Sequence, residues 1–207
     1  MKQQQKGKRS IALPVTLILL VMSLMGNVLL LTKNINNGQR IAVQKGEVIF
    51  DRAKQSLELA QNMEGRMMEL IELSPSDGTA QRLAARYAAI DLQHDGSSLK
   101  ELMATAELQS EGALEGAGAT TEAYIDNFSY ERLFAIGNGA GALDESERKA
   151  IEELQQSFSE LQRAISTFSF VGEGNKSFMI RLSSGYGWHD VATSIEAVIQ
   201  QYTNSHN

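Results

Sequence analysis

Apolar and polar positions divide the chain into one unbroken hydrophobic run followed by a series of amphipathic segments with helical spacing. Residues 11–31 (IALPVTLILLVMSLMGNVLLL) carry no charge. As a helix rising about 1.5 Å per residue they span roughly 31 Å, enough for the hydrocarbon core of a bilayer. The polar, Asn-rich stretch 32–38 (TKNINNG) predicts a break. Helical spacing then resumes over 39–73, where Phe50, Leu57 and Ile71 recur at multiples of seven, interleaved with Ala53, Ala60 and Met67. Glu64 is the polar interruption of this heptad seam. Pro75 and Gly78 end it.

Shorter segments follow. A helix over 79–92 sets Leu83, Tyr87 and Ile90 on one face, and Asp95-Gly96 reads as a turn. Ser98-Leu99-Lys100-Glu101 reads as a capping box opening the next helix. Residues 112–119 (GALEGAGA) are too glycine-rich to hold a helix well and read as a flexible linker. Helix restarts at Thr121 towards Phe134, and 137–141 (GNGAG) interrupts it.

The strongest periodicity lies over 144–170. Asp144 is an N-cap with Glu147 at the third helical position. Ile151, Leu154, Phe158, Leu161, Ile165 and Phe168 then follow at spacings of three and four, with mostly Glu, Gln, Ser and Arg between them. This narrow apolar stripe suits packing along another long helix, and the 39–73 segment is its natural partner. Residues 178–182 fit strand or helix equally. A last helix over 188–202 sets Val191, Ile195, Val198 and Tyr202 on one face. The pattern predicts an all-α chain: an N-terminal transmembrane helix, then an extracytoplasmic antiparallel helical bundle over 39–204.

Charge sets the orientation. Lys2, Lys6, Lys8 and Arg9 precede the apolar run, so the tail 1–10 is expected on the cytoplasmic side, 11–31 in the membrane and the rest outside. The run is longer than a secretory signal core, and its end lacks a small-residue cleavage site, which favours an uncleaved signal anchor. The remaining chain holds 15 basic and 25 acidic residues, a charge of about −10. That sign argues against a nucleic-acid partner. The chain has no cysteine, which excludes thiolate catalysis and disulfide bracing.

No reacting constellation is legible. The 172–177 segment (GEGNKS) misses the phosphate-loop pattern, because Asn175 separates glycine from lysine. His94, His189 and His206 have no ligand-spaced neighbours. His189-Asp190 with Ser194 lacks the elbow and oxyanion loop of a hydrolase triad. Glu152 and Glu153 sit on the solvated side of their helix rather than across a cleft. Met63, Met67 and Met68 read as core filler, and Asp190 as the N-cap of the last helix. No catalytic residue, cofactor or metal is expected.

Residues 122–191 resemble the N-terminal region of the YpeB family of spore germination proteins. The likeness is carried by Ile125-Asp126-Asn127-Phe128-Ser129-Tyr130, by Leu143-Asp144-Glu145-Ser146-Glu147 opening the long helix, and by Trp188-His189-Asp190-Val191. The order of elements is also similar. The chain stops near Asn207, where that family continues into PepSY-type domains. The resemblance implies a non-enzymatic, membrane-anchored protein of the cell or spore inner membrane, acting with a cortex-lytic enzyme. It marks Phe128, Ser129, Tyr130, Trp188 and Asp190 as structural or partner-binding positions.

The expected function is therefore a non-catalytic interaction protein that stabilises or localises a spore-cortex hydrolase. The alternative is a ligand-binding sensor-type ectodomain acting with another membrane protein. Expected partners are the lipid bilayer and an exported protein, with a homo-oligomer also open. Large aromatics such as Phe128, Tyr130 and Trp188 are expected in the core, the competing role being that of exposed binding anchors.

Overall fold

A computed structural model of the protein describes residues 12–73 and 77–204. The expectations for Lys2, Lys6, Lys8, Arg9, Ile11, Pro75 and His206 fall outside the described residues. The described chain is all-helical, 86% helix with no strand. Its contacts divide it into two units, Met1–Ile41 and Ala42–Asn207.

The first unit contributes the opening of α1 (Ala12–Glu72). This helix includes an 18-residue window of mean hydropathy 2.3, none of it buried within the protein. It is one helix long and apolar enough to cross a membrane, with Leu17, Leu24 and Leu29 at 60–70% exposure. The break expected at 32–38 does not occur, and the Thr32 hydroxyl donates to the Val28 carbonyl at 2.8 Å. Asparagine and glycine each cost a helix at most about 1 kcal/mol. Propagation from formed turns on both sides offsets that penalty.

In the second unit α1 buries Ile49, Phe50, Ala53, Ser56, Leu59, Ala60, Met63, Met67 and Leu70. The seam is a heptad one, but its centre is rotated from the expected one. Ser56, Met63 and Leu70 take the inward positions, and Leu57 and Ile71 flank them, partly buried. Ser56 is tolerated inside because its hydroxyl donates to the Arg52 carbonyl at 2.7 Å. Phe50 meets the rings of Phe168, Phe170 and Phe178 edge-on at 5.8–6.5 Å.

The second helix, α2 (Gly78–Asp95), is capped by Asp77, whose carboxylate accepts from the Ala80 N–H at 3.0 Å. Its apolar residues share the expected face, and that face turns outward. Leu83, Tyr87 and Ile90 are 48%, 55% and 49% exposed, whereas Ala85, Ala88, Ala89 and Leu92 are buried. Alanines win the inner face because α2 lies close against the chain around Gly137. A Cβ on Gly137 would sit 2.4 Å from Arg86 Cγ and 3.1 Å from the Arg82 carbonyl. The next helix, α3 (Ser97–Gln109), follows through Gly96 alone, whose backbone is itself helical. No extended N-cap exists there, so the expected Ser98 capping box does not form. Ser98 instead donates back to the Asp95 carbonyl at 2.8 Å.

The supposed linker at 112–119 is a packed turn. Leu114 and Ala117 are 1% exposed, and α4 (Ala117–Asp126) already begins at Ala117. Glu107 holds its entry, accepting from the Gly116 and Gly118 N–H groups at 3.0 and 3.1 Å. A π-helical segment (Asn127–Phe134) and the short α5 (Ala135–Asn138) continue from α4 and run beside α2. The helix with the strongest periodicity, α6 (Glu145–Ser166), carries the full Asp144–Glu147 capping box. Its stripe is buried as expected, from Ile151 to Ile165, with Phe168 buried just beyond the helix end. Along it lies α8 (His189–Asn204), and Phe168 reaches Phe50 of α1. The 178–182 segment is helix, part of α7 (Lys176–Ser183), capped by Asn175.

Candidate functional site

Two polar arrangements organise the second unit. The first is built on Arg82, which α2 turns inward. Its Nη1 donates to Glu147 Oε1 at 2.5 Å and to the Ile136 carbonyl at 2.7 Å. Its Nη2 donates to Glu147 Oε2 at 2.8 Å and to the Ala142 carbonyl at 3.1 Å, and Nε reaches the Gly141 carbonyl at 3.1 Å. The hydrogen bond from Arg82 holds the Glu147 carboxyl below its usual range, and the same bond raises the guanidinium pKa. The glycine loop makes this approach feasible: a Cβ on Gly139 would lie 2.6 Å from Arg82 Nη1. With its donors committed to one carboxylate and the loop carbonyls, the group clamps the entrance of α6.

The second arrangement is the π-helical segment. In a π-helix the backbone bond runs from i to i+5, so residues five apart come onto one side. Arg132 Nε donates to the Asn127 side-chain oxygen at 3.1 Å, and Asn127 Nδ2 donates to Glu131 at 2.5 Å. The Arg132 guanidinium sits 4.9 Å above the Phe128 ring and 3.6 Å from Glu153 of α6. Burial lowers the Arg132 pKa, opposed first by Glu153. Tyr130 and Phe134, four positions apart on the same side, stack at 5.7 Å and 22°. Single π-turns recur at functional sites. Here an exposed Tyr130 stacks on a partly buried Phe134 on a braced element.

The five positions marked by the family resemblance separate into two groups. Phe128 is 1% exposed and joins Tyr124 and Phe158 in an aromatic core, where the Tyr124 hydroxyl pairs with Ser157 at 2.7 Å. Burial pushes the Tyr124 pKa upward, so its hydroxyl stays protonated. Ser129 is buried and donates to the Ile125 carbonyl at 2.8 Å. Trp188 is 1% exposed, with its indole N–H on the Leu182 carbonyl at 3.0 Å. Tyr130, expected inside, is 56% exposed because two positions along a helix carry it to the side opposite the buried Phe128. Asp190 is exposed as well. It lies within the first turn of α8 rather than at its cap, where the Trp188 carbonyl already accepts from Ala192. Only Tyr130 and Asp190 offer side chains to a partner.

The remaining candidates are not brought together. Ser194 donates to the Asp190 backbone carbonyl at 2.9 Å rather than to His189. Among the described residues no cluster of three or more His, Cys, Asp or Glu has metal-holding geometry. The residues missed in the sequence are Arg82 and Glu107. The signal for Arg82 is its place in an alanine-rich stripe, since small residues on both sides mark a face in close contact.

In comparison with known proteins, no family model, curated protein or solved structure matches the chain. The class defined by the fold is therefore the coarse one. It is a helical protein with one membrane-length apolar helix near its N-terminus, and its second unit displays an aromatic pair on a π-turn.

Proposed function

We propose that the protein is a non-catalytic, membrane-anchored interaction protein of the YpeB-like kind. The basic tail lies in the cytoplasm and an antiparallel helical bundle lies outside. The bundle holds or localises an exported partner, with a spore-cortex hydrolase as the specific candidate. The observation that carries this reading is the Tyr130–Phe134 stack. It leaves a large aromatic 56% exposed on an element braced by Arg132, Asn127 and Glu153. Aromatics held rigidly at a surface are the usual anchors of binding hot spots. The test is hydrolase abundance in spores. Deletion of this gene, and Tyr130→Ala in the chromosomal copy, should each deplete the cortex hydrolase. Normal hydrolase levels in the deletion strain would remove the partner assignment.

A second reading, a ligand-sensing ectodomain, is favoured by one observation. The Gln109 amide oxygen is buried without a hydrogen-bond partner. It borders a depression of about 420 Å³ lined also by Glu111, Tyr186 and His189. A ligand there would have to supply a donor to that oxygen. Calorimetry of the full chain with candidate small polar ligands tests it, and Gln109→Leu should abolish any heat seen.

A further inference from the structure

Of the two opposite faces of α2, the fold uses one. Gln81, Arg82, Ala85, Ala88, Ala89 and Leu92 are buried, while Leu83, Tyr87 and Ile90 point outward at about half exposure. The outward residues stand four and three apart, which is a d–a–d run of a heptad. The neighbouring a positions are Ala80, half-buried, and His94, exposed. In this register the buried residues occupy b, c and f. Arg86 falls at g and Asp91 at the following e. The sequence of α2 thus reads as one strand of a two-stranded coiled coil on its outer side and as a core helix on its inner side.

The geometry points to a second copy of this chain, docked in parallel along α2, as the occupant of the Leu83–Tyr87–Ile90 face. Charge selects both the partner and the direction. In a parallel pair each g residue faces the following e residue of the other helix, so Arg86 meets Asp91 of the partner subunit, and symmetry makes the contact twice. An antiparallel pair sets g on g and e on e, so the Arg86–Asp91 contact is lost. The charges are available for this. Arg86 commits only Nε, to the Gly137 carbonyl at 2.8 Å, leaving both terminal amino groups open. Asp91 binds Arg66 through one carboxylate oxygen at 2.5 Å and has the other to offer. Two heptads make a weak seam on their own. Confinement of anchored copies to one membrane raises their effective concentration and makes such a seam sufficient.

This inference is independent of the hydrolase reading and rests on the membrane anchoring proposed above. The test uses the full chain in its membrane, where the absence of native cysteine makes single-cysteine cross-linking clean. Ala80→Cys, at an a position, should give a disulfide-linked dimer on mild oxidation. Leu108→Cys, at an 87% exposed site on α3, should not. Adding Leu83→Glu and Ile90→Glu should abolish the Ala80→Cys dimer, with Trp188 emission unchanged as the control for folding. Arg86→Glu should reduce cross-linking about fivefold to tenfold, and Arg86→Glu with Asp91→Lys should restore it. Tyr130→Ala should leave cross-linking intact whatever it does to the hydrolase. The proposal is overturned if Ala80→Cys stays monomeric, or if cross-linking ignores the glutamates at 83 and 90. Failure of the double charge reversal to rescue also overturns it, as does cross-linking at Tyr87→Cys without cross-linking at Ala80→Cys.

Discussion

Arg82 of α2 and Glu147 of α6 meet in a two-pronged pair at 2.5 and 2.8 Å, with side chains only 10% and 20% exposed. Glu147 also accepts from the Asp144 N–H at 2.9 Å, so one carboxylate closes the capping box and the ion pair together. This joins two helices 65 residues apart through a single group.

That sharing makes Arg82 costly to lose. Arg82→Met leaves Glu147 and the carbonyls of Ile136, Gly141 and Ala142 without their donor. It should destabilise the protein by about 3–5 kcal/mol, the loss expected when one partner of a buried pair is removed. Urea unfolding of the full chain in detergent, followed by circular dichroism, measures it. A change below about 0.5 kcal/mol would mean that water replaces the clamp without loss.

The pair also sets an acid response. The Glu147 carboxyl is depressed in the folded state, so the native protein holds this site ionised where the unfolded chain would take up a proton. Its contribution is complete above the ordinary glutamate value of about 4.3 and is lost as pH falls through the depressed native value. Glu147→Gln should lower stability at pH 7 and flatten the acid slope below about pH 4.5. An unchanged slope in that variant would assign the acid response to other carboxylates.

The two faces of α6 should differ sharply. Phe158 and Leu161 are at most 1% exposed, and replacing either with alanine should cost about 2–5 kcal/mol. Glu152 is exposed, and its replacement should stay within about 0.5 kcal/mol. Glu153, the next residue, is no second neutral control, because it lies 3.6 Å from Arg132. Thermal unfolding of the three variants decides whether the stripe has been assigned to the correct side.

Trp188 is the only tryptophan, and its ring is enclosed with the indole N–H satisfied by Leu182. Its emission should be blue-shifted in the folded protein and shift red on unfolding. Strong acrylamide quenching in native buffer would contradict its burial.

Legibility in the sequence followed how local the determinant was. The α6 stripe and the Asp144–Glu147 cap depend on residues within a few positions of one another, and both appear in the structure as read. For α2 the shared face of Leu83, Tyr87 and Ile90 is legible, but hydrophobicity alone does not say which side turns inward. What decides the inner face is steric: alanines and Gly137 allow a close approach that larger side chains forbid. Tyr130 was misplaced because it was grouped with Phe128 as a large aromatic, although two positions along a helix lead to the opposite face. The 112–119 turn was read as a linker because its organising group, Glu107, lies outside it. Capping boxes fail similarly where the preceding residue stays helical, as Gly96 does before Ser98.

Two glycines of α1 show how packing reverses the effect of one substitution. Gly65 has open space where a Cβ would project, with nothing within 4 Å. Gly65→Ala should therefore stabilise the helix by about 0.5–1 kcal/mol, since alanine loses less backbone entropy on folding. Gly46 sits in the same helix, but a Cβ there would lie 2.0 Å from the Met179 carbonyl oxygen and 2.5 Å from its carbon. These are backbone atoms of α7 and cannot rotate aside as a flexible side chain would. Gly46→Ala must push α1 and α7 apart, disturbing the Phe50–Phe178 contact, and should cost about 1–3 kcal/mol despite the same gain in helix propensity. Unfolding midpoints of the two variants should move in opposite directions. If both rise, the close approach at Gly46 is relieved at no cost and does not fix the position of α7.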